Sequence, residues 1–112
     1  MLAFGSDAPV ETLNVMAGIH AAVTRRRPDG APGPAGWYGA QRLTVDEAVY
    51  AYTMGAAFAS GEETLKGSLA PGKVADLVVL SQDIFTIDPM AILETEVVGT
   101  MVGGEWVYGL TA

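Results

Sequence analysis

The sequence predicts an α+β chain in which helices come first and antiparallel strands follow. Three observations carry this. Glu11 to Arg27 and Thr44 to about Ser60 repeat apolar residues at three- and four-residue spacing, the period of a helix face. Leu77-Val78-Val79-Leu80 is a continuous apolar run rich in β-branched residues, which suits a strand covered on both faces. Val97 to Val102 and Glu105 to Tyr108 flank Gly103-Gly104, the pattern of two strands joined by a tight primed turn.

At 112 residues the chain is one domain at most. A chain of this size buries roughly two thirds of its unfolded surface, and a complete eight-stranded α/β barrel needs about 250 residues. Thirteen acidic residues against six basic ones give a net charge of −7, which argues against nucleic acid or an anionic membrane as partner. There is no cysteine, hence no disulfide framework and no thiolate metal site, in keeping with a reducing cytoplasm. No apolar run reaches the roughly 20 residues of a membrane span. Met1-Leu2-Ala3-Phe4 lacks the basic start of a signal peptide and reads as the inside of a strand.

In chain order, Leu2-Ala3-Phe4 predicts a short strand ending at Gly5-Ser6-Asp7-Ala8-Pro9. A strand, a polar turn and a helix form a β/α unit, and functional side chains sit at the strand's C-terminal end, where Asp7 lies. The competing reading makes Ser6 or Asp7 the helix cap, with Pro9 in the first turn. The helix from Glu11 to Arg27 carries Leu13, Met16, Ala17, His20 and Val23 on one face, and Pro28 stops it. Arg25, Arg26 and Arg27 read as a solvated helix end that complements the macrodipole. His20, the single histidine, reads as a packed residue pointing away from Asp7.

Pro28 to Gly39 is a proline- and glycine-rich loop. Trp37 and Tyr38 either line a pocket or pin the loop to the body, and pinning is the expected role. Thr44 and Glu47 form a capping box. The helix behind it sets Val45, Ala48, Val49, Tyr52, Gly55, Ala56 and Ala59 on one stripe. Glu62-Glu63 reads as solvated charge beyond the helix end. Lys66 to Leu80 predicts a β-hairpin, with Pro71 setting the turn and Gly72 supplying the positive φ of a type II turn. Asp76 reads as a structural carboxylate bonding backbone. Asp88-Pro89 opens a turn or two of helix through about Glu94.

The run Lys66-Gly67-Ser68-Leu69-Ala70-Pro71-Gly72-Lys73-Val74-Ala75-Asp76-Leu77-Val78-Val79-Leu80 resembles the C-terminal signature of the amidohydrolase superfamily, with the amidohydrolase-3, YtcJ-like branch nearest. Gly5-Ser6-Asp7-Ala8-Pro9, Leu13 to Arg25, Gly36-Trp37 with Gln41 to Thr44, Leu43 to Ala48, and Val102 to Tyr108 resemble that family's later segments in the family's order. Gly39 stands near a position where the family often has proline, a departure that touches loop stiffness. The resemblance implies that residues 1–65 are the last strand-helix units of a (β/α)8 metal-dependent hydrolase barrel. Residues 66–112 would then be the C-terminal hairpins of a small composite β-sandwich.

The resemblance further implies a parent enzyme that hydrolyses amide-type C–N bonds of a small-molecule substrate with a divalent metal, zinc by expectation. It makes Asp7 both a metal-site carboxylate and the catalytic group that accepts the water's proton. The family's His-x-His, bridging lysine or carboxylate and two further histidines have no counterpart here. The isolated chain is therefore expected to bind no metal and to be inactive, its partner being the missing N-terminal barrel portion or another copy of itself. The alternatives are a non-catalytic, self-associating β-rich module, or a subunit that completes a barrel supplied by another chain.

Overall fold

The computed structural model describes residues 1–110. It is α+β, with short helices and one three-stranded antiparallel sheet. The chain divides into two compact units. One comprises Gly5–Val49 and Asp83–Thr95, and the other Met1–Phe4, Tyr50–Gln82 and Glu96–Ala112.

In the first unit, helix α1 spans Val15–Thr24, shorter at both ends than the periodicity suggests. It begins there because the Asn14 side chain accepts the Met16 amide at 3.1 Å, satisfying a donor of the first turn. Neither Ser6 nor Asp7 is its cap, and Leu13 lies outside it, 79% exposed. It ends before Pro28 because Arg25 turns left-handed at φ 54°, its amide still donating to Ala21 O. Thr24 supports this exit twice. Its hydroxyl donates to His20 O at 2.8 Å and accepts the Arg26 amide at 3.1 Å.

The buried face of α1 is Met16, Ile19, His20 and Thr24, one residue round from the expected stripe. The helix packs against a 3₁₀ turn, Pro89–Glu94, which contributes the fully buried Ile92. That turn starts as its sequence predicts, with the Asp88 side chain accepting the Met90 amide and Pro89 in its first turn.

The loop after α1 is pinned, and the arginines do the pinning. The Trp37 amide donates to Arg25 O at 2.8 Å, and Arg25 Nε donates back to Trp37 O at 3.0 Å. Arg26 Nε donates to Gly30 O at 3.3 Å. Arg25 and Arg26 are half-buried, so the solvated helix end holds only for Arg27. Gly36, at φ 71°, makes the approach feasible, because a Cβ there would collide with Thr24 O.

The second helical stretch begins at the predicted capping box. The Glu47 carboxylate accepts the Thr44 amide at 2.8 Å while Thr44 Oγ1 accepts the Glu47 amide at 3.2 Å. Helix α2, Val45–Tyr50, passes through one π-helical turn, Ala51–Gly55, into α3, Ala56–Ala59. The wide turn shifts the face. Ala51 and Ala57 are buried, whereas Val49 is half-exposed and Ala59 exposed.

In the second unit, Leu2-Ala3-Phe4 is not a strand. It is extended chain bound to the helix, with the Phe4 amide donating to Ala51 O at 3.0 Å and the Phe4 ring meeting Tyr52 edge-on at 5.4 Å. Strand β1 spans Leu77–Leu80, β2 Val97–Val102 and β3 Glu105–Gly109, in the order β1-β2-β3. The turn at Pro71-Gly72 forms as predicted, with Gly72 at φ 89° and the Lys73 amide on Ala70 O. The predicted hairpin around it does not form. Gly67, at φ 98°, bends the chain before it, so β1 pairs with β2 instead, Leu77 opposite Met101. Nor is β1 covered on both faces, since Val78 is 54% exposed.

The closing hairpin is as predicted, with Gly103 at φ 59° and Gly104 at φ 85°. Asp76 bonds backbone as expected, across 27 residues rather than locally, accepting the Gly103 amide at 2.8 Å.

Gly55→Ala is expected to destabilise the chain by about 1–3 kcal/mol, because the new methyl overlaps Leu2 O. A lowered denaturation midpoint would check it. Asp76→Ala is expected to cost about 0.5–1.5 kcal/mol, the net worth of one hydrogen bond. Faster hydrogen exchange at the Gly103 amide would report it.

Candidate functional site

Asp7 lies in a turn that it makes itself. Its backbone is left-handed at φ 51°, and its carbonyl accepts the Val10 amide at 2.8 Å. Left-handed backbone is uncommon outside glycine, with aspartate among the residues that tolerate it best. The side chain is exposed, and its carboxylate makes no hydrogen bond or ion pair with any described residue. No group of three or more His, Cys, Asp or Glu side chains among the described residues is placed to hold a metal ion. Asp7 therefore offers one free carboxylate, and the residues gathered here do not by themselves fit a divalent metal.

His20 is packed, as its place on the helix predicts. It is 1% exposed, with Nε2 at 3.3 Å from Met90 Sδ. Burial, and then the Arg26 charge, push its pKa below the usual histidine value.

Sequence reasoning missed a polar cluster in the connection after α3. The Lys73 ammonium donates to Glu63 O at 2.6 Å and to Lys66 O at 3.4 Å, and meets Met54 Sδ at 3.6 Å. Nor are the two glutamates simply solvated. Glu62 accepts the Ser60 hydroxyl at 2.8 Å and pairs with Lys66 at 3.0 Å, contacts that hold its carboxyl below the usual range. Glu63 is half-buried, with Oε2 enclosed and without a hydrogen-bond partner among the described residues. The only signal in the sequence was Lys73 itself, directly after the turn glycine.

The family model of the Amidohydrolase family matches residues 1–108. The chain belongs to that family. It is 38% identical over 108 residues to "Putative amidohydrolase YtcJ" of Bacillus subtilis, covering 96% of this chain and 20% of that protein. It is 38% identical over 111 residues to "Protein LONG AFTER FAR-RED 3" of Arabidopsis thaliana, covering 96% of this chain and 18% of that protein. It is 33% identical over 110 residues to "N-substituted formamide deformylase" of Arthrobacter pascens, covering 98% and 20% respectively. The chain thus spans about a fifth of the length of these curated relatives. No solved structure matches it. No helix among the described residues is long and apolar enough to cross a membrane.

The buried histidine predicts a pH dependence. Its folded pKa is depressed, so the unfolded chain binds the extra proton first as pH falls. Stability is full above the unfolded value of about 6.5 and falls as pH drops from there toward the folded value. The melting temperature should therefore decline between pH 7.5 and 5.5, and His20→Gln should flatten that decline.

Proposed function

We propose that this chain is the C-terminal portion of a metal-dependent amidohydrolase and that Asp7 is its contribution to the catalytic centre. The observation that carries this is the state of Asp7. It holds an uncommon left-handed backbone, does not cap α1, and keeps its carboxylate free of every described residue. Such an outlier, its side chain without a local partner, is a reason to look for function. Membership of the family supports the reading, as does the relative named for a deformylase of N-substituted formamides.

In this reading residues 1–65 are the end of the barrel and residues 66–112 are part of the composite sandwich. The histidines that bind the divalent metal, zinc by expectation, belong to parts of the protein outside these residues. Because the residues present do not form a metal site, no step at a metal is assigned to them. The Asp7 carboxylate acts as general base, taking a proton from the water that attacks the carbonyl of an amide-type C–N bond. The substrate is a small molecule, and the enzyme works in the cytoplasm. The chain alone is inactive.

A second reading has its own observation. Val78, Val102, Val107 and Tyr108, all on the three-stranded sheet, are exposed. A sheet with uncovered apolar residues and open edges favours self-association, with or without catalysis.

Elemental analysis after dialysis against a weak chelator tests the first reading, together with an assay of hydrolysis of an N-substituted formamide in added zinc. The pure chain is expected to hold far less than one metal and to show no turnover. Adding a histidine-bearing barrel portion should restore turnover, and Asp7→Asn should lower it by about 10²–10⁴-fold, the usual weight of a general base. Metal-dependent turnover by the pure chain would overturn the proposal.

A further inference from the structure

The three consecutive arginines that follow α1 line one open cleft of about 530 Å³, together with Ala21, Ala31, Pro32 and Trp37. On a continuing helix, successive side chains fan out by about 100° each. Here the left-handed turn at Arg25 stops the helix and brings all three onto the same recess.

Two of the guanidinium groups are held by backbone through one nitrogen only. Arg25 uses Nε on Trp37 O, and its Cζ lies 5.0 Å from the centre of the Trp37 ring. Arg26 uses Nε on Gly30 O. Their terminal nitrogens make no hydrogen bond to any described residue, and Arg27 has no side-chain partner at all among them. None of the three forms an ion pair with a described carboxylate; the ion pair present among the described residues joins Lys66 and Glu62.

The acids that face this region are few. Asp29 spends Oδ1 on the Ala31 amide. Asp88 lines a neighbouring recess with Arg26 and Arg42 but bonds neither. The helix C-terminus adds roughly half a negative charge. Three cations against these partial offsets leave a positive pocket on a chain whose net charge is −7.

A guanidinium anchored through Nε presents its two terminal nitrogens as a parallel pair of donors, the fork that matches a phosphate or carboxylate edge. Beside these forks the lining turns apolar. Trp37 is 62% exposed although Arg25 stacks on it, and Ala21, Ala31 and Pro32 complete the wall. The volume lies in the range of small-molecule pockets, apolar with a few convergent polar groups. Three cations with no carboxylate partner among the described residues exceed what one carboxylate calls for and suit a dianion. The flat apolar wall suits a ring carried by that dianion.

We propose that this cleft binds a nucleoside phosphate, with the phosphate on the forks of Arg25, Arg26 and Arg27 and the base against Trp37 and Pro32. The proposal does not rest on the reading of Asp7, which is not among the lining residues.

Titration calorimetry of the chain at low ionic strength tests it, with adenosine monophosphate, inorganic phosphate and adenosine as separate probes. The monophosphate is expected to bind at least about tenfold more tightly than inorganic phosphate, and adenosine not measurably. Arg27→Gln removes an exposed side chain that supports no other residue, so the fold is retained. It should weaken the monophosphate by about tenfold or more, the scale of one charged hydrogen bond. Arg26→Gln should do the same, with circular dichroism confirming an intact helix. Raised salt should weaken binding further. Asp7→Asn should leave binding unchanged, so the failure of either proposal shows separately. Absence of binding, inorganic phosphate equal to the monophosphate, or binding that survives both arginine variants would overturn the assignment.

Discussion

The sheet depends on two adjacent amides being caught by two adjacent residues. The Gly103 amide donates to the Asp76 carboxylate, and the Gly104 amide donates to Ala75 O at 3.0 Å. Both glycines have positive φ, so the turn's amides are presented outside the hairpin. This tie fixes where β1 begins, and Leu77 falls opposite Met101 directly after it. Register matters here because a one-residue slip would turn every side chain to the other face. It matters doubly at Gly99, which is buried under Trp106 and Leu110, where a Cβ would come within 3.0 Å of the indole. Gly109 lies opposite Gly99 and is closed against Val98 O in the same way. One exposed carboxylate thereby sets a pairing that only glycines at two particular positions permit.

What the sequence made legible was local chemistry with a short reach. The Thr44–Glu47 box, the Asp88–Pro89 start, the Pro71-Gly72 turn and the Gly103-Gly104 hairpin each need residues within four positions of one another. Each formed as those residues require. The misreadings fall where a competing local interaction won. Asn14 outbid the upstream Ser6 and Asp7 as helix cap. Thr24 and the left-handed Arg25 ended α1 before Pro28 could. A non-glycine residue in that conformation has no signature in sequence, so the exit of α1, and the role of the arginines in pinning the loop, were hidden. The predicted hairpin before β1 failed for a similar reason, because Gly67 turns the chain away before a first strand can pair.

Asp7 shows the difference between legibility by physics and by kinship. On physical grounds a polar residue between an apolar run and a helix is read first as a cap. The structure removes that explanation, because the helix starts seven residues later, at Asn14. What is left is a carboxylate with no hydrogen-bond partner among the described residues, carried on a left-handed turn. In the function proposed above, that free carboxylate is this chain's contribution to a site whose other residues lie outside it.

The connection after α3 extends the same logic to a residue with no catalytic claim. An ammonium has three donors, and Lys73 places all three on Glu63 O, Lys66 O and the Met54 sulfur. Arginine's flat fork would not converge on acceptors spread around a point, which is why lysine suits this position. The acceptors are two carbonyls and a sulfur, so recognition does not depend on which side chains the connection carries. Any sequence there that brings the same carbonyls round Lys73 would be gathered equally well. That is why the cluster left almost no trace in the residues that compose it. It is also why Glu62 and Glu63, adjacent and chemically alike, end differently. Glu62 keeps its carboxylate at the surface with Ser60 and Lys66. Glu63 gives up its carbonyl to Lys73, and its Oε2 is enclosed.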